Sequence, residues 1–261
     1  IMDDNCIVEK RSCISRQYTQ MTRQITILTI LAVLATASLS AAVPIIDAVN
    51  TQTAVTLKRG EFDVAVTGYD GGGIMNRSIL GVHDNVYLGV AFDVEGAIGQ
   101  NDARFNIPGV IAKAKLTDGW ADFPILLAVG YDSFIAGARS RVQSDNPYYR
   151  MIMGPYFTIT KPIYLFGEEQ HLHAGVRTPI QPTASPEDTE LYFAMDFPIG
   201  QFIPIFEMQH IFFDGNRLKE TLFNLGLRFQ FFDHLAFEVD MMMGIGQKTN
   251  RMIVFEYLDR F

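Results

Sequence analysis

The residues able to do chemistry are five histidines, a scatter of serines and a set of charges that recur at every second position. His171 and His173 stand two apart, which on a strand puts both rings on one face. With Glu207 or Glu238 they have the donor types of a zinc site, but no third ligand lies at metal spacing. Polar lining of a wet interior is therefore the preferred reading, and neither metal nor cofactor is expected. His210 falls beside Met208 and Phe212 on a face that reads as apolar, while His83 and His234 flank turns. Ser78, Ser133, Ser140, Ser144 and Ser185 offer nucleophiles for a lipid hydrolase or acyltransferase of the Ser-His-acid type. Only Ser78 lies well inside a predicted strand, and no Gly-x-Ser-x-Gly elbow occurs. Gly71-Gly72-Gly73 precedes neither a helix nor a Lys-Ser/Thr pair, so it reads as a loop and not as a phosphate cradle. The sequence thus predicts no catalytic residue, and a lipid-modifying enzyme is the least favoured alternative.

The charges carry more information. Asp63, Asp93, Glu95, Glu238 and Asp240 fall on strands that become neighbours if the last strand closes on the first. Lys113, Lys115, Arg150 and Arg177 fall on the intervening stretch, whereas Arg228 and Glu207 fit this segregation poorly. Together with His171 and His173, these residues are the expected lumen lining. Two readings stay open: opposed charged walls that orient a polar solute across a lumen, or salt bridges that fill a narrow barrel.

Placing charges in this way requires strands, and the chain supplies them. Val86 to Glu95 sets Val86, Leu88, Val90, Phe92 and Val94 against Tyr87, Gly89, Ala91, Asp93 and Glu95, and the same alternation runs through Glu61 to Tyr69, Thr221 to Phe231 and His234 to Gly244. Period-two patterning broken by Gly, Asp, Asn and Pro clusters marks antiparallel strands. Twelve are predicted: 61–69, 75–83, 86–95, 109–117, 123–132, 149–160, 170–178, 190–197, 202–213, 221–231, 234–244 and 251–261, within a range of ten to fourteen in all. Thr53 to Arg59 is either one more strand or part of the first, with Gly60 as a bulge. Strands of roughly 9 to 11 residues suit a bilayer, and those of soluble domains average nearer 5 or 6. Connections alternate between tight (83–85, 118–120, 166–168, 198–200, 232–233) and long (70–74, 96–108, 133–147, 179–189, 214–220, 245–250), as in outer-membrane barrels.

Upstream lies an export pattern. Arg23 precedes the apolar run Ile25 to Leu39, and Ser40-Ala41-Ala42 supplies small residues for cleavage. Residues 21–42 are read as a signal peptide, residues 1–20 as an upstream extension or a mis-assigned start, and residues 43–261 as one exported barrel domain. About fifteen apolar residues fall short of the roughly 20 that a spanning helix needs. Both cysteines, Cys6 and Cys13, precede this signal, so no disulfide or thiolate chemistry is expected in the barrel. The chain is 48% hydrophobic and 12% aromatic with a net charge of −8, which argues against nucleic acid as a partner; its mean hydropathy is +0.12.

Alternation cannot by itself say which face is wet, but the aromatics help. Phe62, Phe92, Phe157, Phe193, Phe197, Phe202, Phe206, Phe212, Phe223, Phe229, Phe231, Phe237, Phe255 and Tyr257 all fall on the apolar parity, many near strand ends. They would overfill a small soluble barrel, and they match the aromatic girdles of a membrane barrel. The final stretch, with Phe255, Tyr257 and the terminal Phe261, resembles the C-terminal signal of outer-membrane proteins, which implies recognition by the barrel-assembly machinery; Asp259 stands where an apolar residue is usual. Lys113-Ala-Lys-Leu-Thr-Asp-Gly, Phe123-Pro124 and Ala128-Val-Gly-Tyr-Asp132, within Gly60 to Phe134, resemble repeats of YjbH-like barrels, a resemblance that implies a link to exopolysaccharide secretion. The expectation is an all-β, up-and-down transmembrane barrel of about twelve antiparallel strands in a bacterial outer membrane. Its partners are membrane lipid, the assembly machinery and small polar solutes passing a narrow porin-like pore. A structural or secretion-accessory barrel is the alternative.

Overall fold

The computed structural model describes residues 44–99, 102–119, 124–133, 154–165, 168–180, 186–212, 220–232, 234–244 and 249–261. The strands are β1 (Glu61–Tyr69), β2 (Gly73–His83), β3 (Val86–Glu95), β4 (Arg104–Phe105), β5 (Gly109–Thr117), β6 (Leu126–Asp132), β7 (Gly154–Leu165), β8 (Glu168–Arg177), β9 (Glu190–Asp196), β10 (Phe202–Phe212), β11 (Leu222–Phe231), β12 (Leu235–Gly244) and β13 (Asn250–Arg260). Twelve of them pair antiparallel with their neighbours in sequence order. The two-residue β4 attaches only to the end of β3. The ring closes where β1 lies against β13, from Glu61↔Arg260 to Tyr69↔Met252. A closed ring leaves no strand edge unpaired, and that is the condition for a sheet to cross hydrocarbon.

The faces are inverted relative to a soluble barrel. On β3, Tyr87 and Ala91 are fully buried inside while Leu88 and Phe92 are 50% exposed outside. The outer surface of β10–β13 carries a row of rings toward one rim, with Phe255–Phe237 at 4.9 Å, Phe237–Phe229 at 6.3 Å and Phe229–Phe202 at 5.0 Å between centroids. Phe62 continues the row to Phe261 at 4.8 Å. This rim also bears the tight turns, such as Asp84–Asn85 between β2 and β3, and both ends of the barrel sequence. We call it the short-turn rim.

Several local expectations change. The β1–β2 link is a tight hairpin, not a long loop, because Gly71 and Gly72 adopt φ of +86° and +77°. The connection after β5 is longer than expected, since β6 starts only at Leu126. His210 and Phe212 do not face outward. Pairing of β10 with β9 shifts between Met208 and Ile211, and His210 takes φ of +59°. This bulge adds one residue, so the parity flips and both side chains turn inward, 7% and 8% exposed. Thr53 to Arg59 is neither a thirteenth wall strand nor an extension of β1; it lies inside the barrel as far as Leu57, as described below. The predicted signal peptide, Arg150, Phe123, Ser140, Ser144 and Ser185 fall outside the described residues.

An arginine on the outer surface tests the inverted polarity. Val90→Arg, midway along β3, is expected to lower the stability of the barrel in phospholipid vesicles by about 2–4 kcal/mol, read by urea unfolding. No loss would mean that this face meets water.

Candidate functional site

Twelve strands enclose more space than their own side chains fill, since about eight already give a packed interior. The residual space is occupied by the chain itself. Residues 44–57 enter the lumen ahead of β1 and fold back as a short hairpin, with Ala48 N donating to Thr51 O at 2.8 Å, Thr53 N donating to Ile46 O at 3.2 Å, and Asp47 bridging Gln52. Thr51, Thr53, Ala54 and Leu57 are fully buried. Lys58 and Arg59 emerge at the short-turn rim, where Arg59 N donates to Asp84.

The wall is fitted to this hairpin by apolar and polar contacts. Ile46 and Leu57 join an apolar cluster with Met75, Ile79, Tyr87, Ile111 and Leu258. On the facing side Ile45, Ala48 and Val49 pack with Ala194, Ile203 and Ile205. A Cβ added at Gly226 would come within 2.7 Å of Asp240 and 3.2 Å of Val49, so this position must be small for the hairpin to lie where it does. Elsewhere the wall fills itself by setting tyrosines over glycines: a Cβ at Gly130 would meet Tyr156, and one at Gly175 would meet Tyr192, each within 2.3 Å.

At the hairpin's tip the contact is polar and specific. Glu207 Oε2 accepts from Asn50 N at 2.8 Å, Thr51 N at 2.9 Å and Thr51 Oγ1 at 2.8 Å, while Asn224 holds its other oxygen. Arg177 donates to Gln52 Oε1 at 2.7 Å, and Gln52 Nε2 donates to Asp132 at 3.2 Å. Thr158 Oγ1 donates to Gln52 O at 3.0 Å, and Ala54 N donates to Thr160 Oγ1 at 2.8 Å. Lys113 Nζ donates to Ile46 O at 3.0 Å and Val55 O at 3.2 Å. A buried ammonium or carboxylate without partners is costly, and here the backbone of the hairpin supplies those partners.

One ion pair also joins wall to hairpin, and the remaining charges pair within the wall. Arg77 bridges Asp47 of the hairpin at 2.9 Å and Asp132 of the wall at 3.0 Å. Arg228 sits between Glu238 and Glu256, and Arg177 lies 3.4 Å from Glu190. Lys115 pairs with Asp118. Asp93 and Glu95 are bound by Asn106 Nδ2 at 2.6 and 3.0 Å. Asp63 and Asp240 are buried inside near this set. Acids and bases are therefore interleaved, not drawn up as two opposed walls: Arg77 and Arg228 stand among the acids, and Asp132, Glu190 and Asp196 stand among the bases. The buried charges among these have lost most of their water, and a partner of opposite sign takes its place.

His171 and His173 share Asp196, at 2.9 and 2.8 Å, and Thr160 completes His173. Glu207 and Glu238 are engaged elsewhere, and no set of three potential ligands is placed to hold a metal among the described residues. Ser78 turns to the outer face and donates to Asn76 at 3.2 Å, and Ser133 Oγ bonds backbone of Val110. Neither makes a Ser-His pair. Phe255 and Tyr257 are exposed on the outside of β13, and Phe261 ends the chain at the same rim.

Sequence reasoning passed over Arg77, Asp132, Glu190, Asp196, Glu256 and the whole hairpin. A signal was present, because Met75, Ile79, Ile111, Ile203, Ile205 and Leu258 are apolar at the inward parity, where a water-filled channel has no use for them.

No protein-family model and no curated protein sequence matches the chain. Among solved structures it is similar to a KdgM porin, with a TM-score of 0.51 and 10% identity over 76% of this chain and 98% of that one. A KdgM porin in complex with disordered oligogalacturonate superposes with a TM-score of 0.50, 10% identity and the same coverage, 76% and 98%. The Acinetobacter baumannii outer membrane protein Omp33 gives a TM-score of 0.43 at 10% identity, over 77% and 97% of the two chains. These are likenesses of fold.

The seating of the tip rests on one carboxylate. Glu207→Ala leaves the Asn50 and Thr51 amides buried without an acceptor, at a cost of about 1–3 kcal/mol. Hydrogen exchange should quicken at residues 50–52 while the amides of β10 and β11 stay protected. Unchanged exchange at the tip would show that apolar packing alone holds it.

Proposed function

We propose that this protein is a bacterial outer-membrane barrel that forms a narrow, porin-like pore for ions or small polar solutes and is not an enzyme. The observation that carries this reading is a polar, charged inner wall within a closed barrel whose outer face is apolar and ringed by aromatics. Groups of both signs on such a wall can replace a polar solute's hydration. The fold likeness to porins supports it, one of them solved with an oligogalacturonate. In this reading residues 21–42 direct export as a signal peptide, the short-turn rim faces the periplasm, and Phe255, Tyr257 and Phe261 are the ending read by the assembly machinery.

The filled lumen favours a second reading, a structural or secretion-accessory barrel. The YjbH-like resemblance over β5 and β6 points that way too, with an exopolysaccharide link.

Planar-bilayer recording separates the two. Full chain and Glu207→Ala, each first shown folded by heat-modifiable migration on a gel, are expected to give discrete ion steps, infrequent in the full chain and commoner in the variant. A folded barrel that gives none in either form would favour the structural reading. Recovery of the protein in the soluble periplasmic fraction would exclude both.

A further inference from the structure

We infer that the inner wall is a binding site for one short peptide hairpin, that residues 44–57 occupy it reversibly, and that their departure toward the short-turn rim opens the lumen; the opening rests on the pore reading above, whereas the binding site does not.

Three features separate a seated ligand from a built-in part of the wall. First, the backbone–backbone hydrogen bonds of residues 44–57 are internal to the hairpin among the described residues, and the barrel ladder is complete from β1 around to β13 without them. The wall grips through side chains: Glu207, Arg177, Asp132, Lys113, Thr158 and Thr160. Such bonds can be exchanged for water one at a time, while removing a ladder strand would expose a whole edge.

Second, the exit is unobstructed by topology. Ile46 returns beside Leu57, so both arms of the hairpin run toward the short-turn rim and only its turn reaches up to Glu207 and Arg177. Among the described residues, withdrawal requires no threading. Gly60, at φ of +81°, turns the chain from the lumen into β1 at that rim and offers a hinge there.

Third, the hairpin does not fill its side of the lumen. A cavity of about 70 Å³ remains between Asp47, Ala48 and Asn50 on the hairpin and Asp63, Arg77 and Glu256 on the wall. It is large enough for water to reach the ion pairs as they part.

The recognition chemistry follows from what the wall holds. Glu207 takes two consecutive amide N–H groups, Lys113 takes two carbonyls, and Arg177 with Asp132 clasps both ends of one carboxamide. Arg77 adds an ion pair to Asp47, so the set matches a peptide hairpin that carries a Gln or Asn side chain and one carboxylate, and among Glu207, Lys113, Arg177 and Asp132 there is no excess of either sign to favour a free ion over it.

The test uses two constructions in a background with Cys6 and Cys13 replaced by Ser. In the first, Ala54→Cys and Thr160→Cys, whose backbone N and Oγ1 lie 2.8 Å apart in the parent, lock the hairpin under mild oxidation. Ion steps should disappear on oxidation and return on reduction, with exchange at residues 48–52 slowed only in the locked form. In the second, residues 44–57 are deleted. The time spent open should rise at least tenfold, and a synthetic peptide of sequence 44–57 added in solution should close the pore again. The same peptide, fluorescently labelled, should bind the deleted barrel saturably and lose that binding with Arg177→Ala plus Glu207→Ala. A deleted barrel that binds the peptide but never conducts would sink the pore reading and leave the binding site standing. One that conducts without binding the peptide would overturn the inference and leave the pore. If the deletion does not fold, the disulfide pair decides: equal ion steps and equal exchange with the lock made and broken mean that the hairpin is a fixed part of the wall.

Discussion

Backbone amides in hydrocarbon have no water to fall back on, and most of the architecture follows from that constraint. It demands a ladder without ends, which the chain achieves by laying β1 along β13 over nine residue pairs. Closure with twelve strands then fixes the width of the interior independently of what the interior is for. The outer face is fixed as well, since every second side chain meets lipid: Leu88, Phe92, Val110 and Phe255 are exposed for the same reason that Tyr87 and Ala91 are not.

Width creates the second problem. Wall side chains pointing inward from twelve strands leave a gap along the axis, and the polar ones among them cannot be left there half-solvated without partners. Arg228 solves this locally by reaching to Glu238 and Glu256 on the next two strands. Lys113 cannot, because Tyr87 and Ile111 surround it; its ammonium lies 5.1 Å over the Tyr87 ring and takes carbonyls from the hairpin. Tyrosines set over Gly130 and Gly175 thicken the wall on one side, and Ile45, Ile46 and Leu57 of the hairpin fill the rest. A peptide is well suited to such a gap because its amides offer donors and acceptors every few ångströms along the axis, whatever the sequence of the wall opposite.

The strands were legible in the sequence because their signal is local. Period-two alternation needs no knowledge of the partner strand, so β3, β11 and β12 are found almost to the residue, while β2 and β8 begin two residues early, β6 begins late and β7 runs on to Leu165. What could not be read this way depends on events off the strand. The bulge at His210 flips the parity of a single strand end, and nothing in Met208-Gln209-His210-Ile211 distinguishes the inserted residue. Ion-pair partners such as Arg77 and Asp132 lie on strands far apart in sequence and meet only across the lumen. The hairpin was missed for a different reason: Thr53 to Arg59 has strand-like composition and no turn glycine, and patterning cannot tell a strand in the wall from one enclosed by it.

The apolar inward residues hold the missing information once the parity rule is reversed. On a lipid-facing barrel, inward Ile and Leu are the anomaly, and Met75, Ile79, Ile111 and Leu258 of β2, β5 and β13 join one cluster, while Ile203 and Ile205 lie together on β10 in another. Two apolar patches in a lumen, with charged residues set among them, require something amphipathic between them. It must be greasy where it meets the patches, as Ile45, Ile46 and Leu57 are, and must present amides and a carboxamide at its turn, as Asn50, Thr51 and Gln52 do. Such patches differ from the even polar lining that free passage of solute alone would favour. The wall is therefore better matched to holding a peptide than to being empty, so any solute passing through must take up the contacts that the hairpin gives up.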